Sequence, residues 1–292
     1  MGRHQIPTAR YQSFQLSQLD EAADFLRTLE PPYVLKADGL AAGKGVIITP
    51  SYDEAMATLQ SMTDGSRFGK AGEVVVIEEF LKGIELSVFG ISDGKDWKLL
   101  ASAKDYKRIF DNDEGPNTGG MGAISPVPFA DEVFMQKVVD RIMKPTYEGL
   151  VSEGHPYKGF LFVGLMNVNG EPFVIEYNVR MGDPETEAIF PRLQTPMLDM
   201  LQAIATGQLM DCDVQLDSKT AATIFLVSGG YPGDIEKGKE ITFPTTLGDE
   251  QWLFHAGTKQ DGERVVTNGG RVIAVTSLGE DIPLALERST TL

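Results

Sequence analysis

A glycine-rich segment between two short apolar runs excludes the two commonest phosphate-binding folds. It reads Asp38-Gly39-Leu40-Ala41-Ala42-Gly43-Lys44-Gly45. Three residues rather than four separate Gly39 from Gly43, and Gly45 follows the lysine where a Walker A loop requires Ser or Thr. The segment also does not open a helix in the manner of a Rossmann turn. It predicts a flexible flap between strands at 33–37 and 46–49, although taken alone it is better explained as an ordinary turn with a solvated lysine.

Composition narrows the partners of the chain. Acidic residues number 42 and basic residues 26, so the formal net charge is −16. A surface of that charge repels phosphate backbones, and we expect no nucleic-acid partner. The single cysteine, Cys212, excludes an intramolecular disulfide. The sequence contains no run of 18 apolar residues, so it predicts no membrane span. We therefore expect a cytoplasmic protein, and we take it to be a monomer.

Periodicity and turn signals predict an α/β chain of two domains. A helix is predicted after Ser17 without a strand before it, and a capping box at Ser51 begins another. Asp-Gly and Asn-Gly turns predict hairpins over 85–101 and 160–177.

The remaining stretches are predicted mainly as loops. The run 104–108 is interpreted as a charged loop, and 115–123 as a glycine-rich loop. From residue 211 onward, short strands and glycine-rich turns indicate a separate β-rich subdomain, 211–292. The core is then 1–210, with 31–72 as a mobile lid.

An acidic segment follows the predicted strand at 74–77. Adjacent carboxylates such as Glu78 and Glu79 usually form a solvated strand end. Adenine, however, needs a backbone donor and acceptor beside an apolar wall, together with a carboxylate for its amine. Ribose hydroxyls need another carboxylate a few residues on. The segment 78–81 with Glu85 offers all of these.

A metal site is predicted at the end of the second hairpin. Glu176 and Asn178 lie two residues apart on a predicted strand, so their side chains leave the same face. Carboxylate and amide oxygens suit a hard cation such as Mg²⁺. Arg180 is expected to continue the alternation, and Val174 to share the face. A metal beside an arginine is an arrangement for phosphoryl transfer; the alternative is an edge strand with polar residues facing water.

Taken together, these motifs resemble the phosphoribosylamine–glycine ligase family of ATP-grasp enzymes, over nearly the whole chain. The most specific motifs are Gly115-Pro116-Asn117-Thr118-Gly119-Gly120-Met121-Gly122-Ala123, Asn178-Val179-Arg180-Met181-Gly182-Asp183-Pro184-Glu185, Gly229-Gly230-Tyr231-Pro232-Gly233 and His255-Ala256-Gly257-Thr258-Lys259. The resemblance implies an α/β ATP-grasp fold, two α+β subdomains enclosing ATP, followed by the β-rich subdomain.

The resemblance also implies an ATP site. Lys36 and Lys44 would contact phosphates, residues 78–81 adenine, and Glu85 ribose. The full predicted nucleotide-binding set is Lys36, Gly43, Lys44, Gly45, Glu78, Glu79, Phe80, Leu81 and Glu85. Glu176 and Asn178 would ligate Mg²⁺, with Mn²⁺ as an alternative ion.

Two residues are implied to bracket glycine. Asp105 would lie near its ammonium group and Arg180 near its carboxylate, and we take both as catalytic. Further predicted substrate-binding residues are Asn117, Thr118, Gly119, Gly120 and Asp183.

The reaction implied is the ligation of glycine to 5-phosphoribosylamine through a glycyl phosphate. Its products are glycinamide ribonucleotide, ADP and phosphate, in de novo purine biosynthesis. The resemblance further leads us to expect that the family's N-terminal domain and C-terminal end are lacking, so that the chain binds MgATP but is impaired in turnover. The alternatives are another ATP-grasp carboxylate–amine ligase and a non-catalytic nucleotide-binding fragment.

Overall fold

A computed structural model describes residues 1–39, 41 and 45–291, and it divides the chain into two compact units. The small unit is Pro7–Gly83, and the large unit comprises Met1–Ile6 and Ile84–Leu292. The predicted division at residue 210 therefore differs from the division that the structure has.

The small unit is a four-stranded antiparallel sheet with two helices on one face. Its elements are β1 Tyr11–Gln15, α1 Leu19–Arg27, β2 Tyr33–Ala37, β3 Val46–Thr49, α2 Tyr52–Thr63 and β4 Val74–Glu78, with strand order β1-β4-β2-β3. Phe14, Leu35 and Ile77 are fully buried beneath the helices. The predicted hairpin is confirmed, because β2 and β3 pair with Lys36 opposite Val46.

Strand β1 was not predicted. Only Phe14 of its five residues is buried, so the strand carries no apolar alternation in sequence. It lies at the edge of the sheet, where pairing with β4 on one side leaves the other side open to water.

The large unit is built on an eight-stranded sheet in the order β11-β14-β10-β7-β6-β5-β8-β9. The strands are β5 Ile84–Asp93, β6 Trp97–Phe110, β7 Glu114–Ser125, β8 Lys158–Val168, β9 Glu171–Asn178, β10 Thr220–Val227, β11 Gln251–His255 and β14 Arg271–Gly279, with β12 Thr258–Asp261 and β13 Arg264–Thr267 as a separate pair. The helices are α3 Glu132–Val138, α4 Lys144–Ser152, α5 Glu185–Ile189, α6 Met197–Thr206 and α7 Ile282–Thr290, and a π-helical segment, Val139–Met143, joins α3 to α4.

Helices cover both faces of this sheet. Val88 and its neighbours on one face pack against α3 and α4, whereas Phe89 and its neighbours on the other face pack against α5 and α6. The hairpins β5–β6 and β8–β9 agree with those predicted.

The two predicted loops at 104–108 and 115–123 are instead strand, because β6 and β7 run through them as a pair. Gly122 explains why a glycine-rich segment forms a strand here. A Cβ on Gly122 would come within 2.3 Å of the carbonyl oxygen of Thr223 on the next strand. Glycine therefore permits a close backbone approach that outweighs its low strand propensity.

Strands from beyond residue 210 continue the same sheet. Ala221 of β10 pairs with Ser125 of β7, and β14 and β11 follow in order. The turn signals in this region do not indicate which strands pair, so the sequence does not predict that these strands join the large sheet. The predicted subdomain also ends in a helix, α7.

Candidate active site

The small unit presents a cation beside apolar side chains on the sheet face opposite its helices. Lys36 and Glu78 point away from the buried Leu35 and Ile77, and their Nζ and Oε2 atoms lie 2.6 Å apart. Both side chains are 19% exposed. Val46 and Ile48, about half exposed, lie on the neighbouring strand β3. The face therefore offers one amine, one carboxylate and an apolar surface.

Glu79, which was predicted to bind the nucleotide, is engaged within the small unit. Its Oε2 accepts a hydrogen bond from Arg10 Nε at 2.8 Å and its Oε1 one from the Arg10 amide at 2.9 Å. Burial raises the pKa of Glu79, but these bonds outweigh burial and lower it. Of the other two residues in the motif, Phe80 is 39% exposed and Leu81 is partly buried.

The flap is described only at its ends. Gly43 and Lys44, both predicted nucleotide-binding residues, lie outside the described residues. Gly45 accepts a hydrogen bond from the Ala37 amide at 2.9 Å, and a Cβ at Gly45 would come within 2.8 Å of the Ala41 side chain.

In the large unit, predicted site residues converge on one face of the eight-stranded sheet. Glu85 and Asp105 both face Lys107, whose Nζ lies 2.6 Å from Glu85 Oε2 and 3.7 Å from Asp105 Oδ2. Burial lowers the pKa of Lys107, but the two carboxylates outweigh burial and raise it to about 12. Burial raises the pKa of Asp105, although Lys107 opposes this. The amine is therefore a fixed cation between two carboxylates.

Glu176 and Asn178 lie on the same face, as predicted, and Asn178 Nδ2 donates to Glu176 Oε1 at 3.0 Å. The prediction that Val174 shares this face is wrong. A bulge between β8 and β9 places Val174 opposite Leu165 and Glu176 opposite Gly164, so Val174 enters the core. A single extra residue reverses the alternation.

Arg180 lies beyond the end of β9 and does not continue its alternation, contrary to the prediction. Its Nη1 donates to the Met181 carbonyl at 2.8 Å, and the residue is exposed. Within the described part of the chain, no three His, Cys, Asp or Glu side chains are grouped to hold a metal ion. The Glu176–Asn178 pair nevertheless supplies one anionic and one neutral oxygen, a donor set that fits Mg²⁺ better than softer ions.

Two glutamates of α5, Glu185 buried and Glu187 partly buried, were missed by the sequence predictions. Glu185 is 4% exposed and accepts a hydrogen bond from Ser87 Oγ at 2.8 Å. Burial, and then the charge of Asp105, raises its pKa. Glu187 Oε2 is buried without a hydrogen-bond partner among the described residues, and burial raises the pKa of Glu187 to about 7.

The predicted substrate-binding residues lie along β7 and at the turn before α5. Thr118 Oγ1 donates to the Lys107 carbonyl at 2.8 Å and accepts from the Gly120 amide at 3.0 Å, so this strand is tied to the carboxylate cluster. Asn117 is exposed and pairs across the ladder with Arg108. Asp183 is bound by Arg271, which no sequence argument singled out.

The sequence contains a local signal for some of the residues that the predictions missed, but not for all of them. Lys107 follows Asp105 by two positions, so treating 104–108 as strand would have placed both on one face. Glu185 is the last residue of the motif that begins at Asn178, but its burial depends on packing against the sheet. For Arg271 there is no local signal, because its partners are 88 to 152 residues away in sequence.

Comparison with known proteins identifies the relatives of this chain. The family models for the phosphoribosylglycinamide synthetase ATP-grasp (A) domain and C domain match residues 1–186 and 221–292. The phosphoribosylamine–glycine ligase of Vibrio cholerae is 44% identical over 294 residues, which cover 100% of this chain and 68% of the relative. The bifunctional purine biosynthetic protein ADE1 of Schizosaccharomyces pombe is 46% identical over 286 residues, 98% of this chain and 36% of the relative.

Solved structures agree. The crystal structure of phosphoribosylamine–glycine ligase from Thermotoga maritima superposes with a TM-score of 0.89 at 38% identity, over 100% of this chain and 72% of that one. Biotin carboxylase from Campylobacter jejuni gives a TM-score of 0.75 at 13% identity, over 98% and 62%, which shows the fold alone. Among the described residues, no helix is long and apolar enough to cross a membrane. The predicted ATP-grasp fold is confirmed, and the chain belongs to the phosphoribosylglycinamide synthetase family.

Proposed function

We propose that this chain joins glycine to 5-phosphoribosylamine at the expense of ATP, yielding glycinamide ribonucleotide, ADP and phosphate in purine biosynthesis. Membership of the ligase family supports the reaction. The observation that carries the site assignment is the shared face of Glu85, Asp105, Lys107 and Glu176 in the large unit.

The reaction proceeds in two displacements. An oxygen of the glycine carboxylate attacks the γ-phosphorus of ATP, the bond to the β–γ bridging oxygen breaks, and ADP leaves. The amine of phosphoribosylamine then attacks the acyl carbon, phosphate departs, and the amine nitrogen loses a proton. Activation is required because an oxide is a poor leaving group, whereas phosphate is a good one.

The nucleotide would be held by residues of the small unit. The apolar surface of Val46 and Ile48 suits a purine ring, and Lys36 suits a phosphate oxygen. We keep the flap residues and the segment 78–81 in this role, although the engagement of Glu79 by Arg10 favours the backbone and neighbouring side chains of that segment.

A divalent ion would be held by Glu176 and Asn178. Mg²⁺ at these ligands would neutralise charge on the transferred phosphoryl group. We propose Mg²⁺ as the resident ion and Mn²⁺ as a substitute. Lys107 limits the repulsion between Glu85 and Asp105.

Glycine would bind between Asp105 and Arg180. Asp105 is largely buried, and its side chain is only 11% exposed, so an ammonium group could bind it out of bulk water. Arg180 is exposed and uses one nitrogen on the Met181 carbonyl. The strand residues 117–120 and Asp183 would contact the remaining substrate atoms.

The test is ADP release by this chain with MgATP, glycine and freshly generated phosphoribosylamine, coupled to detection of glycinamide ribonucleotide. ADP release should require both glycine and a divalent ion, and Mn²⁺ should support it. Release with other amino acids but not with glycine would favour a different ATP-grasp carboxylate–amine ligase. Nucleotide binding with no amino-acid-dependent release under any condition would favour a non-catalytic binding protein.

We propose small molecules as the only partners of this site, with a monomer in the cytoplasm as the working state. The net charge of −16 disfavours nucleic acid. Sedimentation velocity of the protein with and without MgATP tests the monomer, and a dimer in either state would contradict it.

A further inference from the structure

We propose that Arg271 and Tyr231 are positioning residues that hold Gly119, Gly120 and Asp183 in register with the small substrates. This inference rests on the proposed function. Neither residue was assigned a role from the sequence, and both come from the last third of the chain, far in sequence from what they hold.

Arg271 joins two separate segments of the site. Its Nη1 donates to the carbonyl oxygens of Gly119 at 2.9 Å and Gly120 at 3.3 Å, and to that of Asp183 at 3.2 Å. Its Nη2 donates to Asp183 Oδ2 at 2.7 Å. The side chain is 18% exposed, and its guanidinium lies over the ring of Phe225 at 4.6 Å from the centroid. A planar, rigid donor set of this kind cannot be reproduced by lysine.

Tyr231 holds the same peptide from its amide side. Its hydroxyl oxygen accepts a hydrogen bond from the Gly119 amide at 3.1 Å. The ring packs directly on Gly270, where a Cβ would come within 2.3 Å of Tyr231 Cδ2. Gly230 has a φ of +89°, so the turn that presents Tyr231 requires glycine at that position. The hydroxyl is therefore set in place by its own loop.

The held peptide is one that needs external support. Two consecutive glycines have little intrinsic conformational preference. Gly120 has a φ of +116°, and a Cβ there would come within 2.5 Å of Pro184 Cδ, so β7 packs against the turn that carries Asp183. Arg271 and Tyr231 together fix this backbone on its carbonyl and amide sides.

The exposed side chains next to the held backbone indicate that Arg271 and Tyr231 serve substrate positioning and not stability alone. The Asp183 side chain stays 56% exposed although Arg271 binds it, and Asn117, two residues before Gly119 on β7, is exposed. Small displacements of groups that orient substrates cost reaction rate steeply. The two residues thus act through Gly119, Gly120 and Asp183 and need not touch a substrate themselves.

The experiment compares Arg271→Lys, Arg271→Gln and Tyr231→Phe with a matched control, Arg192→Lys. Arg192 is a buried arginine with three hydrogen bonds, to Lys219 O, Asp217 O and Ser125 Oγ, each 2.8 Å long, outside the proposed site. For each variant, KM for glycine and for phosphoribosylamine, kcat, MgATP affinity, the thermal midpoint and hydrogen exchange at residues 117–121 are measured.

We expect both Arg271 variants to raise KM for at least one small substrate about tenfold, the equivalent of one lost charged hydrogen bond, with MgATP affinity within about twofold of wild type. Tyr231→Phe should raise exchange at the Gly119 amide and raise the same KM by a smaller factor. Arg192→Lys should lower the thermal midpoint without changing either KM.

Two outcomes would overturn the inference. In one, the Arg271 and Tyr231 variants change only the thermal midpoint, as the control does; in the other, exchange at 117–121 stays at the wild-type rate. If the wild-type protein is active and either result is found, this inference alone is refuted. Wild-type protein that releases no ADP with glycine refutes the proposed function, and this inference with it.

Discussion

The sheets of the two units both carry charged side chains on one face, but they balance those charges differently. In the small unit, Lys36 meets Glu78 at 2.6 Å, so the pair is close to neutral, and it lies beside the apolar side chains of Val46 and Ile48. In the large unit, Glu85, Asp105 and Glu176 all surround the cation Lys107.

That difference indicates what each face needs from a ligand. A neutral pair beside apolar side chains suits an uncharged ring, with the lysine available for a phosphate. Burial, and then the charge of a neighbouring carboxylate, raises the pKa values of Asp105 and Glu185, and an added cation would relieve the repulsion between the carboxylates. On the proposed function, each face therefore suits a different ligand group.

The largest expected effect concerns the carboxylate-rich face of the large unit, at the two residues that we propose as metal ligands. Glu176→Ala and Asn178→Ala each remove an oxygen donor, and each should weaken MgATP binding roughly 10- to 100-fold, the equivalent of about 1–3 kcal/mol. Affinity for ATP in the presence of EDTA should change little. Titration calorimetry with and without Mg²⁺ measures both quantities.

Glu171→Gln is the control for that prediction. Glu171 lies on the same strand, β9, but pairs with Lys137 and Arg141 away from the site. Its loss should leave MgATP affinity unchanged. Equal affinity in wild type, Glu176→Ala and Asn178→Ala would show that the metal is held elsewhere.

A smaller effect is expected on the neutral pair of the small unit. Lys36→Met keeps an apolar stem and removes the cation, so it should weaken binding of ATP about 5- to 10-fold whether or not Mg²⁺ is present. The exposed Lys70 of the same unit, changed to Met, serves as the control. A loss that appears only with Mg²⁺ would contradict the division of roles between the two faces.

The two faces also differ in how far the sequence predicts them. The Lys36–Val46 pairing follows from a short hairpin, where the apolar runs and the glycine-rich turn are local. The Glu176–Asn178 pair also follows locally, because alternation along a strand has a period of two. Local pattern thus gives the fold class and most of the residues that carry charge.

What the sequence does not predict depends on distant partners. The bulge that moves Val174 into the core is set by pairing between β8 and β9, and no residue of β9 signals it. Strand β7 is stabilised by neighbours on both sides despite its glycines. Arg271 and Glu185 acquire their roles only when elements far apart in sequence meet.

The smallest expected effect concerns Glu187, at the margin of the carboxylate-rich region. Its pKa rises from 4.5 to about 7 in the folded protein, with burial as the main cause, Asp183 and Glu185 adding to it, and Arg271 opposing it. The folded state therefore binds more protons than the unfolded state between these values. By linkage, this residue favours folding fully below about pH 4.5, and that contribution is lost as the pH rises through 7.

Glu187→Gln removes the titration while keeping the shape of the side chain. The thermal midpoint of the variant minus that of wild type should be more positive at pH 8, where wild type must bury a charge, than at pH 5. A protein of this size gains about 2–4 °C for each kcal/mol, and partial exposure of Glu187 limits the gain to a few degrees. Other carboxylates titrate in both proteins, so the difference isolates this one.

Glu263→Gln, at an exposed position, should give the same small difference at both pH values. If Glu187→Gln behaves like that control, the Glu187 carboxylate already has a partner in solution, and the surplus of negative charge does not extend to Glu187.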